Sequence, residues 1–225
     1  MKKATIILIV LGILIIFGIT IFIWWYQTQR PMQQILKKQA LESKPTNLEH
    51  KKIAAIIIAS EDFRDEEYFR TVEELSKNEI EKKVISTKKG IAKGADGGEV
   101  NIDLALEDFK VRDFDAIVFI GGPGALDELD NKRFYRIAKE AVLKKKILAA
   151  ICISPTILAK AGVLEGKRAT VWASTLDRQP IKILEDNGAD YINESVVQDG
   201  NIITANGPQA AVEFGKKIVR NLKKD

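Results

Sequence analysis

The sequence predicts an α/β domain built on a mainly parallel sheet with helices on both faces. Three observations predict it. From Lys52 onward, short apolar runs of strand length alternate with segments of helical spacing. Ala116 to Ile120 and Ile147 to Cys152 are apolar throughout, as expected of strands covered on both sides. Glycine turns follow the strand ends, where sheets of this class place their sites.

Taken in order, Ala4 to Trp25 comes first, an apolar run without a charged residue. Its length fits a hydrocarbon core of about 30 Å, so it reads as a transmembrane helix, with Trp24, Trp25 and Tyr26 at the interface. Lys2 and Lys3 also resemble the basic start of a signal peptide, but the run exceeds the usual h-region and lacks a small-x-small cleavage site. The expectation is therefore an anchor over 1–25, a polar spacer over 26–51 and one domain over 52–225. It implies a single-pass membrane protein with the bilayer as partner through residues 4–25. Flanking charge assigns no side, because Arg30, Lys37, Lys38 and Lys44 balance Lys2 and Lys3. His50, the single histidine, falls in the spacer.

Within the domain, Ile53 to Ala59 reads as a strand, Asp65 to Lys77 as a helix through Phe69, Val72 and Leu75, and Lys83 to Ser86 as a second strand. Gly94, Gly97 and Gly98 mark turns, and Val100 to Leu104 alternates like a half-exposed strand. Ala116 to Ile120 is a buried strand ended by Gly121-Gly122-Pro123-Gly124, and Phe134 to Lys144 is a helix. Next come the strand Ile147 to Cys152 and, after Ser154-Pro155 as its start signal, a helix over Thr156 to Lys160. Arg168 to Trp172 reads as a strand and Gln179 to Asn187 as a helix stopped by Gly188. A hairpin of Ser195 to Val197 with Ile202 to Ala205 turns at Asp199-Gly200, and Pro208 to Leu222 is an amphipathic final helix.

Composition excludes several classes of function. The net charge of +4 is modest, and no basic and aromatic residues interleave in the manner of a nucleic-acid surface. A phosphate loop is absent, and Gly94 to Gly98 does not join a strand to a helix in the dinucleotide-binding manner. One Cys and one His supply no zinc set, and the sequence calls for no metal or cofactor. With a single cysteine no disulfide forms within the chain, so oxidation of Cys152 leads to a sulfenic or sulfinic acid or to an intermolecular bond.

Cys152 sits at the predicted strand-to-helix turn. A thiolate there faces free backbone N–H groups and a helix N-terminus, which lower a thiol pKa. The same residue also reads as a small buried hydrophobe, and the segment alone does not choose between the two. Two other strand ends offer partners for a reactive thiol. Five of the seven residues from Glu61 to Glu67 are acidic, and one of them turned inward would gain a raised pKa and act as a proton carrier. Gly121-Gly122 lets backbone amides face a developing oxyanion, to which Ile153 adds its own N–H.

Phe63 to Glu67, Ile120 to Gly124, Ala150 to Pro155, Leu158 to Leu164 and Thr204 to Pro208 together resemble, in matching order, the motifs of the PfpI family. That family is related to class I glutamine amidotransferases and includes archaeal intracellular peptidases and the parkinsonism-associated protein deglycase. The resemblance spans Lys52 to Leu222. It implies a flavodoxin-like α/β/α sandwich, usually a homodimer or higher oligomer. It further implies Cys152 as nucleophile, Glu67 as the acid beside it, Gly122 and Ile153 as backbone donors, and Gly121, Trp172 and Asn206 as site-lining residues. Peptidase-like members carry histidine where this chain has Ile153, and other members carry one near the position of Trp172. Both imidazole positions are empty here. The expected chemistry is therefore reaction of Cys152 with small carbonyl electrophiles or peroxide, with a redox-sensing or protein-stabilising module without turnover as the alternative and peptide hydrolysis behind both.

Overall fold

The computed structural model describes residues 17–27, 29, 34–37 and 51–224. The chain divides into two compact units, Met1–Glu49 and His50–Asp225. In the first unit, residues 17–27 and 34–37 are helical and exposed. Among the described residues no helix is long and apolar enough to cross a membrane. This finding overturns the expected N-terminal transmembrane helix and the membrane localisation, and it leaves the lipid bilayer as a partner without support. Residues 4–16 of the expected span, His50 and most of the expected spacer lie outside the described residues.

The second unit is the expected α/β sandwich. Its strands are β1 (Ile53–Ile57), β2 (Glu61–Phe63), β3 (Glu81–Ser86), β4 (Gly90–Gly94), β5 (Glu99–Ile102), β6 (Leu104–Ala105), β7 (Ala116–Phe119), β8 (Ile147–Ile151), β9 (Arg168–Ala169), β10 (Asp190–Tyr191), β11 (Val196–Asp199) and β12 (Ile202–Ala205). Its α-helices are α1 (Asp65–Lys77), α2 (Pro123–Glu128), α3 (Lys132–Leu143), α4 (Pro155–Lys160), α5 (Gln179–Asp186) and α6 (Ala211–Leu222). Seven strands form the main sheet in the order β11-β12-β8-β7-β1-β3-β6. All its pairings are parallel except β11 with β12, the hairpin that closes one edge.

Period-two alternation divides the sheet between two cores. Ala54, Ile56 and Ile58 face one, with Phe214, Ile218 and Leu222 of α6. Ala55 and Ile57 face the other, with Phe134, Ala138 and Ala141 of α3 and Ile157 and Leu158 of α4. Phe63, Phe119, Phe134 and Phe214 are fully enclosed, and truncating any of them to alanine is expected to cost about 3–5 kcal/mol. α1 and α6 share a face, where Gly215 permits close approach. A Cβ there would lie 2.9 Å from the Glu74 Cβ.

Several elements depart from the pattern read in the sequence. The stretch Val100 to Leu104 is divided between β5, which pairs with β4 in a separate three-stranded sheet with β2, and β6, which joins the main sheet. Arg168 to Trp172 is a strand only over Arg168–Ala169, paired with β10 outside the main sheet. Beyond Ala169 the backbone bonds elsewhere, Thr170 N–H to Thr204 Oγ1 and Trp172 N–H to Cys152 O. The glycine turn opens directly into the short helix α2, with Pro123 in its first turn.

From β1 the chain moves outward to β3 and β6, then returns across to β7, β8 and β12. The switch point therefore lies between β1 and β7. Crevices outside the carboxyl ends at such a point are where open α/β sheets hold their sites.

Candidate functional site

Three connections converge at that switch point. β1 continues through β2 into α1, which carries Glu67 in its first turn. β7 ends in Gly121-Gly122, the N-terminal flank of α2. β8 ends at Ile151, and Cys152 follows at the elbow before α4.

Cys152 has φ +64°, a left-handed conformation that L residues other than glycine rarely adopt. It is held there from both sides. Its N–H donates to Ala205 O at 2.9 Å, and its carbonyl accepts the Trp172 N–H at 2.8 Å. A forced conformation of this kind at a strand-to-helix turn marks a residue whose side-chain direction the fold fixes at some cost. Ser154 does not cap α4. Its backbone is already helical and its hydroxyl donates to Ile120 O at 2.8 Å, which ties the elbow to the end of β7.

Glu67 is completely buried. Its Oε2 accepts the Gly121 N–H at 3.0 Å. Its Oε1 is enclosed without a hydrogen-bond partner of normal geometry, and the Cys152 side chain also acts on the carboxyl. Burial pushes the Glu67 carboxyl up to about 7, with Glu66 adding to the rise, while the Cys152 side chain, the Gly121 amide and the charge of Arg64 pull it back only in part. Of the five acids of the sequence run, Glu61, Asp62 and Glu66 are exposed, while Glu67 and Asp65 are buried in different roles. Asp65, beside it, accepts the Asp96 and Gly98 amides and anchors the β4–β5 hairpin.

The Cys152 thiol is pushed well above its ordinary range, first by burial, then by the charge and hydrogen bond of Glu67. The amides of Ile153 and Gly122 oppose this through backbone hydrogen bonds. The lowering expected from the helix start is therefore present but outweighed. α4 is only six residues long and the thiol is 8% exposed. The site holds a neutral thiol at rest beside a carboxyl that ionises near neutrality. Such a carboxylate is matched to the task of a general base.

Both glycines of the turn are required by close approach. A Cβ on Gly121 would lie 2.6 Å from the Cys152 Cβ and 2.8 Å from Glu67 Oε2. One on Gly122, at φ +114°, would lie 2.4 Å from Asp62 O and 2.5 Å from Arg64 N. Among the sequence-predicted residues, Cys152, Glu67, Gly121, Gly122 and Ile153 are thus in mutual contact or bonded. Ile153 is half-buried and packs against both cores. Trp172 joins the elbow through its backbone, its indole is exposed, and its Cδ1 lies 3.4 Å from where a Gly207 Cβ would sit. Asn206 follows Ala205 and donates its amide to Ser195 O. No histidine occurs among the described residues, and no group of three or more His, Cys, Asp and Glu side chains among them is arranged to hold a metal ion.

Arg64 is a participant that sequence reasoning missed. Its charge acts on Glu67 and its N–H donates to Gly121 O at 2.9 Å. Its signal was that it is the one cation within the acidic run.

The chain is 37% identical over 183 residues to an uncharacterised protein of Methanocaldococcus jannaschii, covering 81% of this chain and 87% of that one. It is 32% identical to a deglycase of Pyrococcus abyssi, covering 75% of this chain and 98% of that one. Among solved structures, a ThiJ/PfpI domain protein from Brachyspira murdochii superposes with a TM-score of 0.73 at 32% identity, covering 77% of this chain and 97% of that one. The model of the DJ-1/PfpI family matches residues 51–221, the whole of the sandwich, and the chain belongs to that family.

Proposed function

We propose that the domain is a cysteine-dependent enzyme of deglycase or glyoxalase type, acting on 2-oxoaldehydes or their adducts, with Glu67 rather than a histidine as its base. The observation that carries this reading is the buried Glu67 carboxyl, with one oxygen fixed by Gly121 and the other unpartnered, coupled to the elbow thiol of Cys152. The relative named as a deglycase supports the substrate class.

In the first step Sγ attacks the aldehyde carbon. The S–C bond forms, the carbonyl π pair moves to oxygen, and the thiol proton passes to ionised Glu67. The developing oxyanion lies where the amides of Gly122 and Ile153 point, the two donors that already act on the sulfur. Protonated Glu67 then serves as acid, so one carboxyl with a pKa of about 7 works in both directions near neutral pH. For a free 2-oxoaldehyde, a proton shift between the adjacent carbons of the adduct followed by attack of water releases a 2-hydroxy acid and regenerates the thiol. The net change is addition of one water, with no external oxidant.

Peptide hydrolysis is disfavoured, because Ile153 and Trp172 stand where the resemblance implies the histidine of a Cys-His pair. The experiment is incubation of the full-length chain with methylglyoxal and detection of lactate by NMR. Lactate from the wild type and none from Cys152→Ala is expected. Equal production by both removes the cysteine from the reaction.

A further inference from the structure

Glu128, the last residue of α2, lies outside the site yet collects four hydrogen bonds. Its Oε1 accepts from Ser60 Oγ at 2.8 Å and Glu61 N at 3.1 Å, and its Oε2 accepts from Ser60 N at 3.0 Å and Thr87 Oγ1 at 3.0 Å. Burial raises the proton affinity of this carboxyl, but the bonds from Ser60, Thr87 and Glu61 outweigh it and hold the group ionised below its usual range.

What Glu128 grips is the segment that packs on the glycine turn. Glu61 O would meet a Gly124 Cβ at 1.9 Å, Asp62 O and Arg64 N close over Gly122, and Arg64 N donates to Gly121 O. Asp62 itself is at φ +55°, a second left-handed residue that needs its surroundings to hold it. The contacts close a ring. From Gly122 the chain runs through α2 to Glu128, across hydrogen bonds to Ser60 and Glu61, and along residues 62–64 back onto Gly121 and Gly122.

We infer that Glu128 is a positioning residue: by clasping Ser60 and Glu61 it fixes the segment that aims the Gly122 amide at the Cys152 sulfur. The inference rests on the reading of Gly122 as a donor at that sulfur. It does not require turnover of any carbonyl substrate.

The test reads the thiol directly. Alkylation of the full-length chain by iodoacetamide forms an S–C bond at Cys152 and releases iodide and a proton. Its rate is followed from pH 5 to 10, over the rising part of a limb whose midpoint lies above that window, for the wild type, Glu128→Gln, Ser60→Ala and Thr87→Val, with Tm recorded for each. An amide at position 128 turns an NH2 toward donors that need an acceptor. Glu128→Gln is expected to move the alkylation limb upward by about half a pH unit or more and to slow alkylation at neutral pH about fivefold. Ser60→Ala, which deletes one donor and leaves the carboxylate, is expected to shift the limb the same way by a smaller amount. Thr87 is not part of the ring, so Thr87→Val is expected to leave the profile in place.

A lowered Tm with profiles that superimpose on the wild type overturns the inference, since a merely structural carboxylate would behave in that way. If Glu128→Gln does not fold, Ser60→Ala decides, and an unchanged limb there overturns it. Alkylation uses no carbonyl substrate, so absence of lactate formation leaves this test standing, and a failure here leaves the proposed activity untouched.

Discussion

The amide of Gly121 donates to Glu67 Oε2 at 3.0 Å, while the same residue's α-carbon leaves so little room that a Cβ would meet Cys152 Cβ at 2.6 Å. The turn after β7 thus fixes the base and abuts the nucleophile. Gly121→Ala is expected to push Cys152 and Glu67 apart, lowering stability by about 1–3 kcal/mol and suppressing alkylation of Cys152. Thermal unfolding and thiol alkylation measured side by side check this. A stable variant with wild-type alkylation would contradict the close approach.

Burial of Glu67 carries a stability consequence with a definite sign. Its carboxyl titrates at about 7 in the folded chain against 4.5 when free. Folding therefore favours the protonated form, and this contribution is fully present below about pH 4.5 and lost as pH rises through about 7. The loss amounts to roughly 3 kcal/mol across that window. Glu67→Gln remains neutral throughout. Urea unfolding at pH 5 and pH 8.5 should show the variant gaining on the wild type as pH rises, and a gap that does not change with pH would contradict the burial.

The left-handed backbone at Cys152 predicts an unusual order among its variants. Cys152→Gly relieves a strain of roughly 1–2 kcal/mol that Cys152→Ala retains, less the extra backbone entropy glycine loses on folding. Cys152→Gly is expected to be more stable than Cys152→Ala by about 1 kcal/mol in chemical denaturation. The reverse order is the usual one in regular structure.

Ile153 directly follows the nucleophile candidate and is half-buried beside it. Ile153→His is expected to add a titration near pH 6.5 to the alkylation profile and to accelerate alkylation below pH 7, since an imidazole beside the thiol supplies a second base. An alkylation profile that superimposes on the wild type would contradict an imidazole at the sulfur.

Much of this was legible in the chain itself. The apolar runs of β1, β7 and β8 and the glycines behind β7 mark the sheet and its functional rim, because strands buried on both faces and tight turns leave strong local signals. Motif order singled out Cys152, Glu67, Gly122 and Ile153 as candidates, and the structure gathers them around one elbow. The divided stretch from Val100 to Leu104 was not, because Val100 and Leu104 end in different sheets and only tertiary pairing separates them. The apolar run Ala4 to Trp25 misled, since composition alone suits a membrane span, yet among the described residues no helix is long and apolar enough to cross one. The thiol's proton affinity was misjudged for a related reason. The helix-start effect is visible in sequence, whereas burial of Cys152 against Glu67 is not. Glu128 gave no signal, because its partners Ser60 and Thr87 are far away along the chain.

The central claim is that Glu67 serves as the base of Cys152 in carbonyl chemistry without a histidine. It is tested most directly by kcat/KM for methylglyoxal from pH 5 to 9 in the wild type and Glu67→Gln. The wild type should rise through a single limb near pH 7, and Glu67→Gln should lose that limb together with about two to four orders of magnitude in rate. A Glu67→Gln variant that keeps both the wild-type rate and the limb near 7 would contradict it.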